Sequence, residues 1–85
     1  MNEASQRSPE QILRAFLARH VPAALESEED FFARGYVSSL FALQLVVFVE
    51  KQFGITVEPE DLSLDNFRSI GAMERFVARK RGVAP

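Results

Sequence analysis

Residues 31–53 read FFARGYVSSLFALQLVVFVEKQF, and this stretch decides the fold. Gly35 marks a tight turn, because glycine enters positive-φ backbone without the steric cost that a Cβ carries. Ser38 and Ser39 stand where a helix should begin, and serine is a preferred N-cap residue. Leu40 to Phe53 contains no proline or glycine, so the pattern predicts an uninterrupted helix that Gly54 ends. The expected product is a serine hydroxyl at the head of a long helix. Unpaired backbone N–H groups and partial positive charge collect at such an end, which suits an attached phosphate.

Composition bounds the rest. At 85 residues the chain makes one domain with a small core. It has no cysteine, so neither a disulfide nor a cysteine-ligated zinc can staple that core. A hydrophobic fraction of 47% suffices for packed helices without a staple. The net charge is −2 and the pI about 5.3, which disfavours nucleic acid as a partner. MNEASQRSPE has no apolar run of the kind a secretory signal needs. Leu40 to Val49 is too short for a bilayer, which takes roughly 20 residues. A soluble, cytoplasmic monomer with no membrane contact is therefore expected.

On the N-terminal side, residues 1–7 are polar and expected to be disordered. Ser8, Pro9 and Gln11 predict a capping box with proline in the first helical position. Ile12, Leu13, Phe16, Leu17 and His20 share one helical face, and Pro22 ends that helix near His20. The connection from Val21 to Ser38 is long, and Leu25, Phe31, Phe32, Tyr36 and Val37 are its expected anchors, with a short helical turn near Glu28 to Ala33. The acids Glu26, Glu28, Glu29 and Asp30 could face a metal or a basic partner, but a solvated loop surface, with acids favoured at the start of a helical turn, is the preferred reading. No metal site is expected.

The helix after Ser39 is apolar around most of its circumference. Leu43, Val46, Val47, Val49 and Phe53 are expected to face the core. Leu45 and Phe48 are expected to be covered by the other helices, and Phe41 to remain exposed. Beyond Gly54, Ile55-Thr56-Val57 reads as extended, and Pro59 opens a short helix through Leu64, with Asp65-Asn66 as a turn. Phe67 is an expected core anchor. Ser69 caps a last helix with the stripe Ile70, Met73, Phe76 and Val77. Arg75, Arg79, Lys80 and Arg81 suit the negative end of its dipole, Gly82 closes it, and residues 83–85 form a tail. The architecture is all-α: a small four-helix bundle of three main helices and one short one, with a long loop between the first two, over residues 8–82.

Intrinsic catalysis is not expected. The single histidine, His20, reads as a partly buried residue at a helix end. A triad of Ser39, His20 and an acid would need a pocket and an oxyanion hole that so small a helical chain can hardly build. An unmodified helical docking module is an alternative.

FxxGxxxSL followed by an apolar helix ending in FGI resembles the acyl carrier protein family and its peptidyl and D-alanyl relatives, over roughly Glu10 to Lys80. The motif-flanking residues are Gly35, Ser38 and Leu40, and Ser39, followed by leucine, takes the place of the serine that carries 4'-phosphopantetheine. Ser38 stands where the family usually has aspartate. The resemblance implies a bundle of acyl-carrier type and a phosphopantetheinyl transferase that brings the arm from coenzyme A. It also implies acyl-loading and acyl-processing enzymes as partners, and no catalysis by the carrier itself. SLFALQLVVFVEKQFGI with EDLSLDNFRSI further resembles stand-alone carriers of polyketide or mixed polyketide–peptide pathways, closest to those of hydroxymalonyl or methoxymalonyl extender units. A peptidyl carrier loaded with an amino acid is the alternative. Where the family commonly has acids on this helix, the chain has Phe41, Gln44 and Lys51, leaving Glu50. With Tyr36 these are the candidate partner-recognition residues, through packing rather than charge.

Overall fold

Ser8 sets the first helix. Its hydroxyl accepts from the Gln11 N–H at 3.2 Å while the Gln11 side chain accepts from the Ser8 N–H at 2.9 Å, the reciprocal box that the sequence predicts. The computed structural model describes residues 7–82. The expected N-terminal arm, apart from an exposed Arg7, and the tail lie outside the described residues. Three α-helices follow: α1 (Pro9–Leu17), α2 (Phe41–Phe53) and α3 (Ile70–Lys80). Two 3-10 turns, Pro59–Asp61 and Leu64–Asn66, lie between α2 and α3, and no strand occurs among the described residues.

The core gathers one ridge from each helix. Leu13 and Leu17 of α1 meet Leu45, Val49 and Phe53 of α2 and Ile70, Met73, Phe76 and Val77 of α3. Spacings of three and four residues make each set a single ridge. Phe67 is buried as expected.

Several expectations are corrected. The first helix ends at Leu17, because the N–H groups of His20 and Val21 both turn back to the Leu17 carbonyl, and His20 is exposed rather than partly buried. On α2, Leu43 (65% exposed) and Val47 (49%) face outward, and Phe48 is only half covered. A single i, i+4, i+8 ridge fills α2's share of so small a core. Phe41 is half-buried rather than exposed, because it closes onto Phe16 and His20. The short helix expected from Pro59 to Leu64 is broken into the two 3-10 turns, since Leu62 leaves helical backbone at φ −79°, ψ 76°. Leu62 and Leu64 are exposed, so no apolar burial rewards a continuous helix there.

The connection from α1 to α2 is fastened at several points. Leu25, Phe31 and Val37 are buried and Phe32 and Tyr36 half-buried. The Phe31 N–H donates to the Arg68 carbonyl and the Gly71 N–H to the Ser27 carbonyl, tying the loop to the start of α3. The short turn forms slightly later than expected. Asp30 accepts the N–H groups of Phe32 and Ala33 on its carboxylate and that of Arg34 on its carbonyl. Gly35 then reverses the chain at φ 78°. The acids have partners within the fold: Glu28 pairs with Arg75, Glu29 with Arg34, and Asp30 caps its turn. No cluster able to hold a metal ion occurs among the described residues.

Ser69 is buried and accepts the Ala72 N–H at 3.0 Å, capping α3 as expected. At the far end Lys80 pairs with Asp61 at 2.7 Å and Arg79 donates to Asn66 at 3.0 Å. These last-turn cations therefore also hold the 3-10 segment against α3. No helix among the described residues is long and apolar enough to cross a membrane.

Candidate functional site

Gly35 and buried Val37 turn the chain from the loop into α2, and Ser38, Ser39 and Leu40 sit at that corner, all three exposed. The expected serine cap is corrected here. The N-cap position falls on Leu40, which is already helical (φ −64°, ψ −30°), and no side chain caps the helix. The serines take part through their backbone: the Ser38 and Ser39 carbonyls accept the N–H groups of Phe41 and Ala42, each at 3.0 Å. This tight entry turn releases the hydroxyls. Neither serine side chain makes a hydrogen bond among the described residues.

The N–H groups of Ser39 and Leu40 also have no acceptor among the described residues. An exposed hydroxyl thus stands beside unpaired backbone donors at the positive end of a helix. A phosphodiester on Ser39 Oγ would find donors without displacing any existing bond. The described residues therefore fit an attached phosphate arm.

The other candidate residues are dispersed around this corner. Tyr36 is half-buried with the Arg34 guanidinium over its ring at 5.9 Å. Phe41 packs its ring at 4.5 Å from that of His20 and 5.9 Å from that of Phe16. Gln44 and Lys51 are exposed farther along α2. Glu50, the acid of this helix, accepts the Val57 N–H at 2.8 Å and so holds the chain after Gly54. His20 is engaged with Phe41 and no carboxylate pairs with it among the described residues.

Residues 10–77, well over half of the chain, match a family profile described as the phosphopantetheine attachment site. The chain belongs to the phosphopantetheine-binding carrier family. No curated protein matches the chain. Members of this family bear 4'-phosphopantetheine covalently, serve as carriers rather than catalysts, and work with phosphopantetheinyl transferases and synthase enzymes. The all-helical fold agrees with a small carrier of acyl-carrier type.

Sequence reasoning missed one element of this carrier's surface. Leu40, Leu43 and Val47 form an exposed apolar stripe running along α2 from Ser39. Their spacing of three and four is legible in the sequence, but so is the stripe Leu45, Val49, Phe53. Both are helical ridges, and only packing decides which one is covered.

Proposed function

We propose that Ser39 carries the 4'-phosphopantetheine arm and that the protein delivers acyl groups to the enzymes of a biosynthetic pathway of polyketide type. The supporting observation is the exposed, unbonded Ser39 hydroxyl beside free N–H groups at the head of α2. In the transfer, Ser39 Oγ bonds to the phosphorus that bears the pantetheine of coenzyme A. The phosphoanhydride bond to the adenosine bisphosphate breaks, that group leaves, and the hydroxyl proton passes to a base of the transferase. The arm supplies a terminal thiol that holds the cargo as a thioester. The likeness of SLFALQLVVFVEKQFGI and EDLSLDNFRSI to extender-unit carriers supports hydroxymalonyl or methoxymalonyl groups as cargo.

Partner enzymes meet the corner around Ser39, where Leu40 is 76% exposed and Tyr36 and Phe41 are half-buried. With Glu50 committed to Val57, packing and not long-range charge steers this contact. A monomeric state and a cytoplasmic location belong to the same proposal.

The test is loading of the apo protein with coenzyme A, Mg²⁺ and a broad-specificity transferase, read by intact mass. Wild type and Ser38→Ala gain one arm and Ser39→Ala gains none. Modification of Ser39→Ala overturns the assignment.

A further inference from the structure

The outer face of α2 holds a shallow groove of about 510 Å³, lined by Phe16, Leu43, Gln44, Val47, Phe48 and Lys51. Its floor is the stacked pair Phe16 and Phe48, with ring centres 4.0 Å apart. Leu43 and Val47 supply an apolar wall. Lys51 is exposed, lines the groove's far end from Ser39, and makes no ion pair among the described residues. Phe16 and Phe48 pack against the edge of the core, whereas Leu43 and Val47 face away from it, since Leu45, Val49 and Phe53 fill α2's buried ridge.

We propose that this groove is the resting place of the protein's own cargo, and that the cargo is a short acyl group ending in a carboxylate, paired with Lys51. The inference rests on attachment at Ser39. Length supports it. Along a helix at about 1.5 Å per residue, Val47 lies roughly 12 Å and Lys51 roughly 18 Å beyond Ser39. The arm spans about fourteen bonds from Ser39 Oγ to its sulfur, the contour of nearly five extended residues, or roughly 16 Å. An arm laid along α2 therefore brings its thioester between Val47 and Lys51. Chemistry supports it as well: a short chain over Phe16 and Phe48 removes apolar surface from water, and the one unpaired cation on this helix then meets a carboxylate. A plain alkyl group would leave Lys51 without a role, and a peptide-sized partner would cover far more than this groove.

The experiment compares isotopically labelled protein loaded by a transferase from coenzyme A, butyryl-coenzyme A or succinyl-coenzyme A, with intact mass verifying each load. Butyryl and succinyl have the same carbon count and differ in the terminal carboxylate. The succinyl form is expected to shift the amide resonances of Val47, Phe48 and Lys51 beyond those of the holo and butyryl forms. Lys51→Gln, an exposed position, abolishes that difference. It also speeds hydroxylamine cleavage of the succinyl thioester by about threefold, the scale of one partly exposed ion pair. Fully loaded succinyl protein with no shifts on this face, or with shifts and cleavage indifferent to Lys51→Gln, overturns the groove. So does a Lys51→Gln protein that is merely slow to load, which makes the face a transferase contact. Loading of Ser39→Ala, in contrast, overturns the attachment site itself and is read from mass alone.

Discussion

Glu28 in the interhelical loop and Arg75 in the middle of α3 form a bidentate pair, both N–O distances 2.9 Å, across 47 positions of sequence. The Arg75 guanidinium holds the Glu28 carboxyl below its ordinary range, and Glu28 in turn raises Arg75. Gly71 makes room for this pair: the nearest atoms that a Cβ there would meet are all of the Glu28 carboxylate. With the two backbone bonds to Ser27 and Arg68, the pair anchors the loop that leads to Ser39.

This arrangement predicts a non-additive double mutant. Gly71→Ala pushes the flexible end of Glu28 off Arg75, so its gain in helix propensity is offset by the loss of that exposed pair. In a Glu28→Ala background the same change meets no carboxylate and gains up to about 1 kcal/mol from alanine's better helix propensity. Urea titration of the four proteins tests it. An equal effect of Gly71→Ala in both backgrounds would show that the pair is not what the glycine accommodates.

Ser69 predicts the cost of a buried cap. Its hydroxyl satisfies the Ala72 N–H with almost no solvent access, so Ser69→Ala strands a buried donor and loses about 1–2 kcal/mol. Ser63 makes the like bond to Asp65 at an exposed turn, and Ser63→Ala should cost clearly less. Equal losses by chemical denaturation contradict burial as the reason.

Glu74 predicts the sign of a pH effect. Burial first, then the charges of Glu10 and Glu28, raise its carboxyl above the ordinary 4.5, against smaller opposing effects of Arg75 and Arg14. A raised carboxyl favours the folded state below the ordinary value, and that contribution is lost as pH rises through the folded pKa. Glu74→Gln should therefore raise Tm at pH 7 and leave it nearly unchanged near pH 3. A drop in Tm at pH 7 refutes this.

For the partner corner, Leu40 and Phe41 are separable. Leu40→Asp changes an exposed side chain, so Tm should hold while transferase loading falls by about tenfold, the scale of an interface anchor. Phe41→Asp should lower Tm, because it breaks the contacts with Phe16 and His20. Loading should change little with ionic strength. Normal loading of Leu40→Asp, or a steep salt dependence, contradicts recognition by packing at this corner.

Core size sets the last expectation. Phe76 is fully buried, and Phe76→Ala should cost about 3–5 kcal/mol. Phe16 is half-covered and should cost less. The order of the two, read from denaturant midpoints, is the check.

Local chemistry made much of this protein legible in one dimension. The Ser8–Gln11 box, the Ser69 cap, the stripe of α3 and the glycine turns at Gly35 and Gly54 all arise from residues within a few positions of each other. Spacing alone specifies such contacts, and the serine followed by leucine at the head of α2 belongs with them. Long-range packing decided the rest. Two helical ridges of α2 compete in the sequence, and the position of α1 and α3 covers Leu45, Val49 and Phe53 while leaving Leu43 and Val47 outside. Phe41 is half-buried because α1 ends at Leu17 and leaves His20 free to meet it. Leu40 takes the N-cap place because the loop, fastened to α3 through Phe31 and Ser27, delivers the chain already turning, and that turn leaves the Ser39 hydroxyl unbonded.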